Sequence, residues 1–331
     1  MNQLFTRSNQ WLVVGLYALL SMYVVYKQAT DTHAISLEEQ LARHERLLTG
    51  TSEFYNPWQY RILSVYVVEG FAHLAAQVGV STIQAFLLFR FLQTVLLFWI
   101  AHLYWRALGI GNPWLNLCGM VLLCFSMAHS VFQSDLSFNT YFDILFYLLA
   151  GWLLLGNKLA WIIPLTAVAV LNRETSLLIP AMLLVTGVEL KPFSWNKQHV
   201  WFSALAGLVF IAGFVAVRWY YGYQPAEGIN GMRSVRDYLS FNLRFFTTYP
   251  ELLGTLAVLP IVVLLFVKRL PLILQKWFWL ICPVWFAVHF AYSTAVESRL
   301  FLVPQALIFI PAFLFLVEAW YKVPAPTDIP K

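Results

Sequence analysis

The chain has 331 residues, 60% of them hydrophobic and 11% charged, with a formal net charge of +5, where a soluble domain carries about 25% charged residues. That much apolar surface excludes a water-soluble globule. The small charge, spread over tails and loops, excludes a nucleic-acid surface and reads as membrane orientation.

The expected fold is an all-α integral membrane protein: one domain, 1–331, a polytopic bundle of about 10–11 transmembrane helices, several of them near the roughly 20 residues a crossing needs. In chain order the predicted spans are Trp11 to Val25, Ile62 to Val80, Gln84 to Tyr104, Trp114 to Ala128, Tyr141 to Leu155, Leu159 to Leu171, Ser176 to Gly187, Val200 to Tyr220, Leu252 to Val267, Trp277 to Tyr292, and Leu300 to Val317. The first is kept as a helix and not a cleaved leader, because Tyr26-Lys27-Gln28 follows it in place of a small-residue cleavage site. Cys118, Cys124 and Cys282 lie inside apolar stretches without CxxC spacing, so neither disulfides nor a zinc site are expected.

Lys and Arg in 191–197, 268–276 and 322–331 assign these segments to the cytoplasmic side. The long segments 27–61 and 221–251, together with Glu297-Ser298-Arg299, then face outward. An odd number of predicted spans separates the two long loops, which cannot return the chain to the same face. The expected resolution is that 159–187 is one crossing of two short helices, broken at Asn172-Arg173-Glu174-Thr175. Such breaks are tolerated where they line a protein cavity.

Each outer loop predicts a surface helix. In 35–48, Ser36 and Glu39 have capping-box spacing, Glu39 and Arg43 are an i,i+4 pair, Gly50 supplies a stop, and Leu37, Leu41 and Leu48 share a face suited to lying on the membrane. In 232–246, Val235, Leu239, Leu243 and Phe246 form an apolar stripe. Arg233, Arg236, Ser240 and Arg244 point away from it, a basic face suited to a phosphate.

Several polar residues stand where they could carry chemistry. Asp31, just past the first span, could take a proton from a hydroxyl, or simply cap a turn. Arg61 could clasp a phosphate with two hydrogen bonds, or anchor the interface among aromatics. Glu69, His73 and Arg90 lie inside apolar stretches, where a charge is either functional or, as a Glu69–Arg90 pair, structural. Asp135, Asn139 and Asp143 recur every four residues, one helical stripe that could bind a divalent cation or sugar hydroxyls, or could merely start a helix. Asn172, Arg173 and Glu174 at the break line a site or form a plain turn, and Glu297 and Arg299 repeat that choice. No cofactor is demanded by these residues, and no metal ligands are assigned.

Taken together, the Asp after the first helix, the surface helix in a long first loop, Pro57-x-x-Tyr60-Arg61, Tyr141-Phe142-Asp143, the Asn-Arg-Glu-Thr break and the late Glu297-x-Arg299 resemble the GT-C glycosyltransferases over roughly 11–317. The resemblance implies a polytopic enzyme that takes a sugar from a polyprenyl-phosphate donor and transfers it, with inversion, to an envelope acceptor. It implies Asp31 as catalytic base and Arg61, Arg173, Arg233, Arg236 and Arg299 as candidates to hold the donor phosphate. Asp143, Asn172, Glu174 and Glu297 complete the expected substrate site. Partners would be the lipid-linked sugar and membrane lipids, in a bacterial inner membrane with the active face outward. Two other classes fit the composition: a transporter or flippase using Glu69, His73 and Arg90, and a non-catalytic subunit of an envelope-polysaccharide system.

Overall fold

A computed structural model describes residues 10–51, 56–190, 192–223, 232 and 234–321. Its helices are α1 (Gln10–Thr30), α2 (Leu37–Thr49), α3 (Ile62–Ala76), α4 (Thr82–Ala107), α5 (Pro113–His129), α6 (Phe138–Leu155), α7 (Ile162–Ala169), α8 (Leu178–Thr186), α9 (Lys197–Tyr221), α10 (Val235–Arg244), α11 (Thr248–Leu256), α12 (Leu259–Phe266) and α13 (Leu272–Tyr292). The last, α14 (Ser298–Tyr321), contains a π-turn at Gln305–Phe309. Among the described residues the only sheet is a hairpin of β1 (Val188–Leu190) and β2 (Phe193–Trp195).

The protein is therefore all-α with several helices fit to cross a membrane. Among the described residues six helices (α1, α4, α6, α9, α13 and α14) have the length and apolarity for it, or seven if α11 and α12 are one span bent by 66°. The bend has a local cause: Ala257 takes a left-handed φ of 51°, and Pro260 cannot donate a helical hydrogen bond back across the junction. The remaining predicted spans fall on shorter apolar helices at 62–76, 113–129, 159–169 and 174–186.

Helix directions follow from contacts between ends. The N-terminal parts of α4 and α6 lie together, since Gln93 Nε2 donates to the Phe138 carbonyl at 3.0 Å. Further along both helices a Cβ on Gly151 would touch the Tyr104 ring at 2.7 Å, so α4 and α6 run parallel. The turn 156–158 then sends α7 back toward the start of α6, where Asn172 Nδ2 donates to the Asn139 carbonyl at 2.8 Å. From the break α8 descends beside α9 in the opposite sense: Glu174 meets Arg218 near the end of α9, and Gly187 packs on His199 near its start.

The two halves of 159–187 are thus an antiparallel hairpin with the break at its tip. This corrects the expected single crossing. The even count comes instead from α3, which starts beside the break, where Leu63 N–H donates to the Leu171 carbonyl at 2.9 Å, and packs back along the first half of α4 before Ser81 caps that helix, so that it adds no pass of its own. Between the two long loops the chain makes the six passes α4 to α9, so both loops return to one end, where Tyr60 O–H donates to the Gly222 carbonyl at 2.9 Å. We call this the loop end. At the opposite end Lys276 reaches the carbonyls of Thr186 and Val188 beside the β-hairpin, which gathers 192–197 and 268–276. The predicted basic segment 322–331 lies outside the described residues.

The core forms around α14. Tyr104 O–H donates to the Leu307 carbonyl at 2.7 Å and Trp105 Nε1 to that of Ala306 at 3.1 Å, tying the π-turn to α4. Large aromatics are buried there because their polar tips find backbone partners.

The surface helices differ in what they cover. Ser36 accepts from Glu39 N–H and Gly50 closes α2 in the left-handed region, and Glu39 pairs with Arg43 at 3.5 Å as its spacing requires. Leu37 and Leu41, however, pack into a protein core with Val68 and Phe86, so this stripe is not a membrane-lying face. In α10 the stripe of Val235, Leu239 and Leu243 is exposed, with Phe246 beyond it. At the edge of this stripe the helix is stitched to the end of α13, because Asn242 Nδ2 donates to the carbonyls of Phe290 and Ser293, and its Oδ1 accepts from Ala295 N–H.

Candidate functional site

The break, the entry to α3, and α9, α10 and α13 enclose a cavity of about 700 Å³ at the loop end. Its polar lining includes Arg61, Arg173, Glu174, Arg218, Glu297 and Arg299. Four guanidiniums thus face two carboxylates.

Arg173 is held from below. Its Nη1 lies 3.2 Å from Asp143 Oδ2, and the Asp143 carboxylate, 1% exposed, also accepts from Asn172 Nδ2 at 3.0 Å and Thr175 Oγ1 at 3.3 Å. Side chains of residues 172, 173 and 175 therefore wrap a carboxylate presented by α6. Arg173 Nε and Nη1 have no hydrogen-bond acceptor of their own. At 3.2 Å the Nη1 contact with Asp143 is ionic attraction without hydrogen-bond alignment.

Arg61 and Arg218 are positioned by aromatic faces. Arg61 lies over Trp58 at 5.0 Å, and Arg218 over Phe214 at 3.4 Å and Tyr60 at 4.3 Å, contacts that favour a weakly hydrated guanidinium. Glu174 spans the two: Oε1 accepts from Arg218 Nη2 at 3.2 Å, and Oε2 lies 3.7 Å from Arg61 Nη2. Burial, and then the neighbouring Arg173 guanidinium, push Arg61 down to about 10. Its Nε also lacks an acceptor.

Arg299 belongs to a separate knot. Its Nη2 donates to Glu297 Oε2 at 2.6 Å, and its Nη1 donates to Asp135 Oδ1 at 2.5 Å and Ser134 Oγ at 3.1 Å, with Ser137 Oγ alongside. Burial alone would raise Asp135, but the Arg299 charge beside it holds its carboxyl below the ordinary range. The predicted stripe of Asp135, Asn139 and Asp143 is corrected accordingly. Helix α6 starts only at Phe138, after Ser137 at φ 49°, so Asp135 turns toward Arg299 while Asn139 and Asp143 stay on one helical face.

His289 faces the same cavity from α13. Its Nδ1 lies 2.8 Å from the Trp285 carbonyl, and since a carbonyl can only accept, Nδ1 carries a proton.

Asp31 lies elsewhere. It lines a neighbouring groove of about 430 Å³ with Lys27, His33, His129 and Glu251. Its Oδ1 accepts from His33 N–H at 2.9 Å, and its Oδ2 from Lys27 Nζ at 3.1 Å. The His33 backbone N–H, followed by the Lys27 and His33 side chains, holds its pKa below the usual aspartate value against the upward pull of burial. Groove and cavity are separated by loop 130–137, which is bonded on one side to His33, through Gln133 N–H to its carbonyl at 2.8 Å, and on the other to Arg299.

The structure thus brings together Arg61, Asp143, Asn172, Arg173, Glu174, Glu297 and Arg299, and leaves Asp31 one loop away. Arg236 is exposed on α10, whose cavity residues are Ser234, Val235 and Tyr238. Arg233 lies outside the described residues. Arg218 and His289 escaped the sequence reading. Arg218 precedes Trp219-Tyr220-Tyr221 and reads as an interfacial anchor, although its place near the end of an apolar helix was the available signal. Glu69 and Arg90 do not pair. Glu69 is 2.8 Å from His44 and 3.0 Å from His73, while fully buried Arg90 lies 3.6 Å over Tyr141 and donates to Gln93 at 2.6 Å. Among the described residues no three His, Cys, Asp or Glu side chains converge to hold a metal ion. In comparisons with protein-family models, curated proteins and solved structures, nothing matches this chain.

Proposed function

We propose that the chain is a membrane glycosyltransferase of GT-C type, with the cavity as the site for the phosphate and sugar of a polyprenyl-phosphate donor. One observation carries the reading: Arg61 and Arg173 line one cavity, and guanidinium nitrogens of both are buried without hydrogen-bond acceptors. Unmet donors of charged groups are costly at such depth. A phosphate oxyanion supplies the acceptors and relieves the repulsion between like charges.

In the proposed reaction the acceptor hydroxyl attacks the sugar's anomeric carbon as that carbon's bond to the phosphate oxygen breaks. Asp31 takes the hydroxyl proton from the acceptor side, and the phosphate leaves with the bonding electrons. Arg61, Arg173 and Arg218 stabilise the charge it gains. An ionised phosphate needs no general acid, and no step requires a divalent cation. The finer architecture, about ten crossings in a bacterial inner membrane with the loop end outward, belongs to the same proposal. It draws support from the common end reached by both long loops.

One observation favours a second reading, a lipid-phosphate-binding subunit without transfer: Asp31 is bound by Lys27 and His33 and opens to its own groove. The test is release of polyprenyl phosphate from labelled polyprenyl-phosphate sugars by the purified chain in vesicles. Release by wild type and its loss in Asp31→Asn support the enzyme. Binding of donor without release selects the second reading, and solute movement with neither result returns the transporter.

A further inference from the structure

The clamp contains its own anion. Glu174 stands between Arg61 and Arg218, 31% exposed toward the cavity, and neither contact is a bidentate pair of the kind that fixes a structural ion bridge. The two guanidiniums do not depend on it for position, because Trp58, Phe214 and Tyr60 hold them by their faces. A phosphate oxygen arriving between the arginines must take the place of this carboxylate or lie against it.

Charge matching around the cavity is close. Arg173 is opposed by Asp143, and Arg299 by both Asp135 and Glu297, so that knot carries one negative charge in excess. Arg61 and Arg218 share the single charge of Glu174. The clamp therefore presents one guanidinium in excess, which matches a singly charged phosphodiester better than a diphosphate.

We propose that Glu174 sets the charge selectivity of this site: it occupies the anion's place in the empty clamp and makes a lipid monophosphodiester preferred over a lipid diphosphate. The inference rests on the reading of the cavity as a phosphate site. Glu174 is a specificity residue in this account and takes no part in bond making.

The experiment is calorimetric titration of the full chain in detergent with two probes, methyl citronellyl phosphate, a singly charged diester, and citronellyl diphosphate. Wild type is expected to favour the diester. Glu174→Gln, which keeps size and removes charge, should raise diphosphate affinity by about tenfold or more, as expected on relieving a close like-charge contact. Diester affinity should rise less, so that the preference shrinks, and Glu174→Ala should shift the ratio in the same direction. Weaker binding of both probes to Glu174→Gln, or an unchanged ratio, overturns the assignment and makes Glu174 a strut, while the phosphate-site reading survives. Binding of neither probe to wild type or variant overturns that reading as well. Should both variants fail to fold, an equal or reversed preference in wild type alone still refutes the proposal.

Discussion

Arg173 and Asp143 meet 3.2 Å apart with both side chains nearly removed from solvent, and the Asp143 carboxylate also receives Asn172 and Thr175. The pair serves two ends: it folds the break at the tip of the α7–α8 hairpin, and it fixes Arg173, two of whose guanidinium nitrogens lack a hydrogen-bond acceptor, in the lining of the cavity. Removing one partner leaves the other charge buried and unpaired, a loss of about 3–5 kcal/mol in comparable pairs. Arg173→Gln is therefore expected to lower thermal stability and to weaken binding of a lipid phosphate. The double variant Arg173→Gln with Asp143→Asn should recover much of the stability but not the binding, as read by melting and titration of all the variants. Recovery of both would mean that Arg173 is structural only.

Asp31→Asn is expected to keep the fold, since the amide retains the size and part of the hydrogen bonding of the carboxylate, but it cannot take a proton at neutral pH. The loss should fall on the chemical step and reach about a hundredfold or more, the usual scale of general-base contributions. Donor affinity should be nearly unchanged, because the arginines lie across loop 130–137. Single-turnover release of labelled polyprenyl phosphate measures the step. Full activity in this variant removes Asp31 from the mechanism.

The pH dependence has a sign fixed by the environment of Asp31. Its folded-state pKa is depressed, chiefly by the His33 backbone N–H, so the carboxylate's contribution to stability is present above the unfolded aspartate value of about 3.9 and is lost as pH falls through the lower folded value. If Asp31 is the base, the acid limb of activity attributable to it should lie below the ordinary carboxylate range. Rate–pH profiles of wild type against Asp31→Asn provide the measurement, and an acid limb near pH 6–7 that follows Asp31 would contradict it.

Helix directions give a topology that labelling can check. With native cysteines replaced, single cysteines at Glu45 and Arg244, both exposed at the loop end, should react with an impermeant maleimide in intact cells, while one at Lys268 should react only after permeabilisation. Labelling of positions 45 and 244 from opposite sides would break the account of α3 as a helix that does not cross.

The apolar stretches were legible because spans of this length and composition have few alternatives. Their directions were less so. Whether Ile62–Ala76 crosses depends on the bond between Leu63 and Leu171 and on where Ser81 starts α4, long-range facts that hydropathy does not carry. The break at Asn172-Arg173-Glu174-Thr175 stood out because four polar residues interrupt apolar sequence. Arg218 did not, because aromatic neighbours give a lone interfacial arginine an ordinary role. The stripe of Asp135, Asn139 and Asp143 misled at one position: Ser137 takes a left-handed φ of 49°, which ends helical periodicity before Asp135. Leu37 and Leu41 showed an amphipathic face correctly, but the pattern alone could not say whether protein or lipid covers it.

Whether the arginine cavity holds a lipid phosphate is read from a structure of the purified chain with a short-chain polyprenyl-phosphate sugar. Phosphate density is expected within hydrogen-bond reach, about 2.7–3.2 Å, of Arg61 and Arg173, with the prenyl chain leaving toward the membrane and the sugar facing loop 130–137. Density for the phosphate at any other place, or an empty cavity at saturating ligand, would contradict it.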